Sequence, residues 1–241
     1  MFDPFRDFET AGYLRNQFTE KDLTIVREVE HELFRANLGD AMAYLASLKD
    51  ISYADFLHVH RILFSEFYPW AGQDRADTAG EIAVRRGDIL FCHPQHARLA
   101  VTEGLRLAQT PGTMQNKPGE VLGLFAYGHP FLDGNGCTML LVHSELCHRA
   151  GFAISWELTA KDEYLAILGQ AIGQPGKGIL DAWLKPFITK QMDPAIWEQT
   201  MYSLRGLDGL SAENKIEGSV SDPKIIDAYR ELEAQRGYRI A

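Results

Sequence analysis

Between residues 121 and 147 this chain passes from one apolar run to another through eight residues that hold a histidine, a proline, an aspartate, an asparagine and two glycines. Val121-Leu-Gly-Leu-Phe-Ala-Tyr127 is apolar enough for a buried helix. Beyond the interruption, Met139, Leu140, Val142, Leu146 and Cys147 recur at helical intervals. The stretch predicts helix, tight loop, helix, and the loop is His129-Pro-Phe-Leu-Asp-Gly-Asn-Gly136.

Asp133-Gly134 and Asn135-Gly136 are consecutive turn-forming pairs, so the loop backbone has access to positive φ and can turn successive N–H groups inward. A helix that starts at such a loop adds its unpaired N–H groups and the positive end of its dipole. The combination suits an anion, most naturally a phosphate. Around it, His129 is a proton acceptor near neutral pH, Asp133 suits a hard cation such as Mg²⁺, and Asn135 can hydrogen-bond a phosphoryl oxygen. Together they point to activation of a hydroxyl and transfer of a phosphorus-containing group. The same residues also fit a plain bend made by Pro130 and the glycines, with His129 packed inside.

From His129 to Gly136 the chain resembles the Fic family, whose motif reads His-Pro-Phe-x-Asp/Glu-Gly-Asn-Gly/Lys-Arg. The resemblance implies a mainly α fold, a helical bundle with a small β-hairpin flap. It also implies Mg²⁺-dependent transfer of AMP, or another phosphate-linked moiety, from a nucleotide such as ATP to a hydroxyl of a target protein. Position by position it makes His129 the base, Asp133 the metal ligand, Gly134, Asn135 and Gly136 the phosphate cradle, and Phe131 a core anchor. The ninth motif position departs: Cys137 stands where the family has arginine, and Leu140 where many members have a second one. Neither side chain replaces a bidentate guanidinium. Losing one charge-assisted contact costs about 1.5–3 kcal/mol. Three outcomes follow: a slow AMP transferase, an enzyme for another donor (UMP or phosphocholine), or an inactive nucleotide- or partner-binding module.

The net charge of −9 argues against unspecific binding to nucleic acid or an anionic membrane. Nothing reads as a membrane span or as a signal peptide at residues 1–8. Cys92, Cys137 and Cys147 lack metal or disulfide spacing and suit a reducing compartment, so a cytoplasmic location is expected.

In chain order, Gly12-Tyr-Leu-Arg-Asn16 resembles the segment that leads into many bacterial Fic domains. Thr19 is expected to cap a helix ending near Gly39, with a short helix over 41–48 and another over 53–66. His58 and His60, two apart on that helix, cannot both face one metal and read as structural or surface residues. Phe67-Tyr-Pro-Trp-Ala-Gly72 resembles the segment before the family's flap. Ile82 and Val84, then Ile89 and Phe91, alternate around Arg85-Arg-Gly-Asp88 and predict a hairpin. The resemblance makes it the flap that pairs with an extended target segment, with Ile82, Val84, Arg85 and Arg86 as target contacts; without it, the hairpin is an ordinary surface one. His93-Pro-Gln-His96 reads as a helix start rather than a metal site.

A helix is expected over 95–109, a link over 151–156, and a helix capped by Thr159 that carries Tyr164. Tyr164 is open to two roles, stacking on a nucleotide base or core packing. Gly173–Gly178 lacks the ending of a P-loop and reads as a connector, and 180–192 closes the helical core. The Fic domain is expected over 1–192, with a C-terminal extension over 193–241. There Asp222-Pro223 announces a last helix, with Ile225, Tyr229 and Leu232 on one face. Many Fic proteins are silenced by a Ser/Thr-x-x-x-Glu-Gly/Asn helix. Glu217-Gly218 fits its end, while Glu213 occupies the Ser/Thr position, so Glu217 is an inhibitory candidate lacking its motif arginine. A separate small antitoxin is the other source of such a glutamate.

Overall fold

The structure is a computed structural model that describes residues 16–20, 22–190, 193, 196–197, 199–200 and 215–236. The lead-in up to residue 15 and the stretch around Gly206 and Glu213 lie outside the described residues.

Helix α1 runs Leu23–Ser47, and its N-cap is Asp22, whose side chain accepts from the Thr24 N–H. This corrects two expectations. Thr19 sits ahead of the helix with φ +55° and does not cap it, and the helix continues through Gly39 instead of splitting there. A mid-helix glycine costs only about 1 kcal/mol, whereas Phe34, Leu38, Ala41 and Leu45 form an unbroken buried stripe across it. Helix α2 (Tyr53–Phe64) starts with a reciprocal cap between Ser52 and Asp55 and packs on α1 through Phe56, Val59 and Leu63.

A short helix α3 (Arg75–Thr78) leads into the antiparallel hairpin of β1 (Ile82–Arg86) and β2 (Ile89–Leu90). Gly87, at φ +57°, makes its turn. Then come α4 (Ala97–Ala108), α5 (Thr113–Asn116), α6 (Pro118–Gly128) and α7 (Asn135–Arg149). Helix α6 is the centre of the bundle, touching α4, α7, α8 (Lys161–Gly173) and α9 (Ile179–Leu184). Its all-round apolar sequence reflects that burial.

The expected link after α7 is a strand, β3 (Phe152–Ile154), paired antiparallel with β4 (Ile188–Lys190). The stretch beyond α9 is accordingly a 3₁₀ turn at Pro186 followed by that strand, not a continuous helix. Ala160, not Thr159, occupies the N-cap of α8, and the Thr159 hydroxyl donates to the Trp156 carbonyl instead. A further strand, β5 (Lys215–Ser219), joins the hairpin in the order β2-β1-β5. Helix α10 (Pro223–Arg236) follows, begun by Asp222, which accepts from the Lys224 N–H. Its Ile225 and Tyr229 form a small cluster with Ala83 and Leu90 of the hairpin.

Helices α4 and α6 come close because Gly104 has no side chain: a Cβ there would lie 2.7 Å from Cε1 of Phe125 and 3.3 Å from Cβ of Leu124. Gly104→Ala is expected to destabilise the chain by about 1–3 kcal/mol through overpacking. Urea unfolding should show it as a lower midpoint at unchanged slope.

Candidate active site

Helix α6 ends at His129, which takes the left-handed conformation (φ +43°, ψ +58°) at the C-cap. A non-glycine residue there costs about 1–2 kcal/mol, so the neighbours must hold it. Arg75 does most of this. Fully buried, it donates from Nε to the His129 carbonyl (3.0 Å), from Nη1 to the Ile82 carbonyl (3.4 Å) and from Nη2 to the Cys92 carbonyl (3.0 Å). Its own backbone N–H donates to the Pro130 carbonyl at 2.6 Å. One guanidinium thus joins both ends of the hairpin to the start of the motif loop. The His129 ring is only 3% exposed and stacks on Phe91, centroids 3.8 Å apart.

Asn135 organises the loop from inside. Its Oδ1 accepts the Phe131 N–H (2.9 Å) and its Nδ2 donates to the Phe131 carbonyl (2.8 Å). This double contact fixes the amide's sense and sets Nδ2 3.3 Å from His129 Nδ1. Asn135 therefore shapes the loop and meets the histidine, a role beyond the phosphate contact expected of it. Phe131 is fully buried as the anchor, stacked 3.8 Å from the His60 ring.

His60, expected to be a structural or surface histidine, is a fully buried structural one. Its Nδ1 accepts the Gly72 N–H (2.9 Å) and its Nε2 meets the Asp133 carbonyl (3.0 Å), so the proton sits on Nε2. It ties the Pro-Trp-Ala-Gly segment to the motif loop. Gly134 approaches it too closely for any side chain: at φ +71° a Cβ would stand 2.7 Å from Phe64 and 2.9 Å from His60 Nε2.

Gly134 is the N-cap of α7, so the N–H groups of Asn135, Gly136 and Cys137 form the helix's first turn. Open space surrounds Gly136, where a Cβ would meet nothing within 4 Å. Asp133 Oδ1 accepts the Gly134 N–H at 2.9 Å, which directs the carboxylate to the same helix end. A single carboxylate there fits Mg²⁺ in its usual manner, with substrate phosphates and water completing the shell. Among the described residues no three His, Cys, Asp or Glu side chains converge as a protein-only metal cage.

The electrostatics keep His129 neutral. Burial, then the positive charges of Arg75 and Arg86, hold the His129 imidazole well below its ordinary pKa. Burial pushes His60 down to about 3 and His143 of α7 to about 4. Cys137 is half-buried, and burial with the charges of Glu30 and Asp133 raises its thiol well above the usual range, against Lys161. It is an uncharged thiol at neutral pH. Leu140 is buried in the core.

Three expected site residues are placed elsewhere. Tyr164 is 3% exposed, between Trp156 and Trp183 (centroids 5.4 and 5.9 Å), so it is a core residue and not a base-stacking platform. Ile82 points its side chain into the core at 1% exposed, its N–H donates to the Ala79 carbonyl and its carbonyl accepts from Arg75. Glu217 lies on strand β5, not at a helix end, with Oε2 3.0 Å from Nε of Arg85. The Gly173–Gly178 turn lines a cavity of about 180 Å³ with Gly119, Asp181 and Arg236, and this cavity shares no residue with the motif loop.

The site thus brings a neutral buried histidine against a helix N-terminus, under a hairpin in a helical bundle. Residues 50–147 match the model of the Fic/DOC family. The chain is 27% identical over 150 residues to a probable protein adenylyltransferase of Sinorhizobium fredii, covering 58% of this chain and 73% of that protein. It is 27% identical over 177 residues to the protein adenylyltransferase VbhT of Bartonella schoenbuchensis, covering 67% of this chain and 34% of that protein. A probable protein adenylyltransferase of Salmonella typhimurium is 30% identical over 110 residues, 41% of this chain and 51% of its own length. The chain thus spans about half or less of two of these relatives. Among solved structures, BepC of Bartonella tribocorum with bound AMPPNP superposes with TM-score 0.58 at 16% identity, over 74% of this chain and 93% of that one. An ADP-bound Fic domain of Bartonella quintana gives 0.57 at 17% identity, over 73% and 91%. At such identities these two show the fold.

The buried histidines make stability depend on pH with a definite sign. Each has a folded pKa below its unfolded value near 6.5, so on acidification the unfolded chain takes up protons that the folded chain refuses. Stability should be full above pH 7 and fall from about pH 6.5 downward, by up to about 1.4 kcal/mol per pH unit for each of His60, His129 and His143. Denaturant midpoints measured from pH 7.5 to 5 check this, and a flat profile would refute it.

Proposed function

We propose that the chain is a Mg²⁺-dependent protein nucleotidyltransferase that moves a nucleoside monophosphate, AMP from ATP in the first instance, onto a hydroxyl side chain of a target protein. The observation that carries this reading is His129, a neutral imidazole fixed by strained backbone, Phe91 and Asn135 beside the first turn of α7. The adenylyltransferase names of the relatives and the AMPPNP in one structural neighbour support it.

In the reaction the target hydroxyl oxygen attacks the α-phosphorus, and the bond from that phosphorus to the oxygen bridging the β-phosphate breaks. Pyrophosphate leaves with the bond's electrons, and His129 takes the hydroxyl proton. The N–H groups of Asn135, Gly136 and Cys137 and the dipole of α7 stabilise the negative charge on the phosphoryl oxygens. Asp133 would hold Mg²⁺ against the phosphates, where the ion neutralises charge on the leaving group. The transferase unit is proposed to end near residue 192, and the hairpin to align the target. A cytoplasmic location and control by a separate small inhibitory protein belong to the same proposal.

A second reading rests on one observation: neither position of the missing arginines supplies a cation. Cys137 is an uncharged thiol and Leu140 is core. A donor with fewer phosphates to hold, such as a pyrimidine nucleotide or nucleotide-linked choline, suits that site. Intact and peptide mass spectrometry with Mg²⁺ and ATP, UTP or CDP-choline in turn distinguishes the donors by adduct mass. His129→Ala is expected to lower transfer about 10²–10⁴-fold. No adduct with any donor would sink both enzyme readings.

Because the folded pKa of His129 is lowered, the ring stays neutral as pH falls through 6.5. The kcat/KM of transfer, which reports the free enzyme, should therefore hold to pH 6 and decline only well below it. An acid limb centred near 6.5 would contradict the buried neutral base. Cys137→Arg restores a charge-assisted phosphate contact worth about 1.5–3 kcal/mol, so ATP-dependent transfer should rise roughly ten- to a hundred-fold. A fall in native activity would instead support the other donor.

A further inference from the structure

The hairpin beside His129 is covered on both sides by the chain's own residues. On one side, Ile89 of β2 packs against α8, where a Cβ at Gly169 would stand 2.6 Å from Ile89 Cδ1, and the Cys92 N–H donates to the Tyr127 carbonyl. On the other side, β1 is paired by the chain's own residues 215–219: Ile82 with Ser219, Ala83 with Gly218, Val84 with Ile216 and Arg85 with Lys215. The register shifts between Ala83 and Val84, so Glu217 is the extra residue of a bulge, and its carboxylate stands 3.0 Å from Nε of Arg85. Nε is not aimed at the carboxylate, so the contact is an ion pair without that hydrogen bond.

What keeps β5 there is small: Ile216 packs at the margin of the main core, and the other apolar contacts lie outside it. Ala83 and Leu90 meet Ile225 and Tyr229 in their own cluster. Beyond it the attachment is peripheral: His96 faces Glu233 at 3.2 Å, Tyr229 meets the His93 ring edge-on, and the Arg236 guanidinium lies 3.4 Å over the Tyr127 ring. A strand held by one ladder, the Ile216 contact, a small satellite cluster, partly exposed ion pairs and the Arg236 hydrogen bond to the Ile172 carbonyl is among the segments that open first. Main-chain pairing also makes the edge indifferent to whose strand fills it, while side-chain positions set which strand fits.

The transferase reading already takes this hairpin as the place where an extended target segment pairs; we infer that residues 215–219 occupy the outer edge of β1 in the resting chain as an internal stand-in for that segment. The stand-in describes the partner: an extended segment with an aliphatic residue opposite Val84 and a carboxylate within reach of Arg85. Binding of that segment displaces β5 and α10 from the hairpin. The inference rests on the transferase reading for the identity of the partner, but not for the exchange of strands.

The test uses the full chain and a fluorescein-labelled peptide with the sequence of residues 214–221, followed by anisotropy, with hydrogen exchange of the Ile82–Arg86 amides read in parallel. In Ile225→Asp, which breaks the small cluster, those amides should lose protection and the peptide should bind at least ten-fold tighter than to the unsubstituted chain. A peptide with lysine in place of its glutamate should lose that gain. In Ala83→Cys/Gly218→Cys, oxidation should abolish peptide binding and reduction should restore it. Protected β1 amides in Ile225→Asp, a bare edge that takes no peptide, or equal binding to the oxidised and reduced pair would each overturn the inference. Nucleotide transfer is read separately by mass: its absence with strand exchange intact counts against the enzyme reading alone.

Discussion

The contact on which the site depends is the buried guanidinium of Arg75. His129 bends away from α6 in a conformation that leaves its carbonyl without a helical partner, and the hairpin presents two more carbonyls, those of Ile82 and Cys92, at the same place. A buried carbonyl with no donor costs about 1–3 kcal/mol, and three of them around one strained residue would unravel the loop. The planar fork of arginine reaches all three at once, which the single ammonium point of lysine does not match. The same charge also lowers the pKa of the imidazole. Loop geometry, flap position and protonation state are therefore coupled through one side chain.

His60 performs the complementary task on the other side of the loop, and it is uncharged. Its ring accepts the Gly72 N–H at Nδ1 and donates from Nε2 to the Asp133 carbonyl, and a protonated ring would keep the second bond but lose the first, having no acceptor left. Burial keeps the ring neutral. Between them, Arg75 from α3 and His60 from α2 clamp the loop's two halves.

The motif loop, the hairpin and the last helix were legible because each has a local cause: turn pairs at Asp133–Gly136, alternation around Gly87, and the Asp222-Pro223 helix start. What was not legible has its cause in tertiary contact. Gly39 looks like a helix end, and only the buried stripe on both sides of it carries α1 through. Phe152–Ile154 and Ile188–Lys190 are too short to read as strands until they pair with each other. Glu217 sits in a sequence that resembles the end of an inhibitory helix, yet the open edge of β1 claims it as a strand. Tyr164 was ambiguous by sequence, and Trp156 and Trp183, close to it only in the fold, decide it as core. Arg75 and His60 carry no motif signature, because their partners are main-chain carbonyls and N–H groups far along the chain.

The missing arginines bear on the base as well as on the phosphates. A general base works best with a pKa near the working pH, and burial first, then Arg75 and Arg86, hold His129, the base of the proposed reaction, well below that. A bound nucleotide brings several negative charges to the α7 terminus, and these oppose the two guanidinium charges and raise the imidazole pKa toward neutrality. In a site with motif arginines, part of that anionic field is cancelled by the arginines themselves. Here Cys137 and Leu140 cancel none of it, so more of the field of the phosphates reaches the imidazole. In the proposed reaction, Cys137 and Leu140 would weaken the grip on the donor yet leave its charge better able to poise His129 for proton transfer, and the two effects would act on rate in opposite directions.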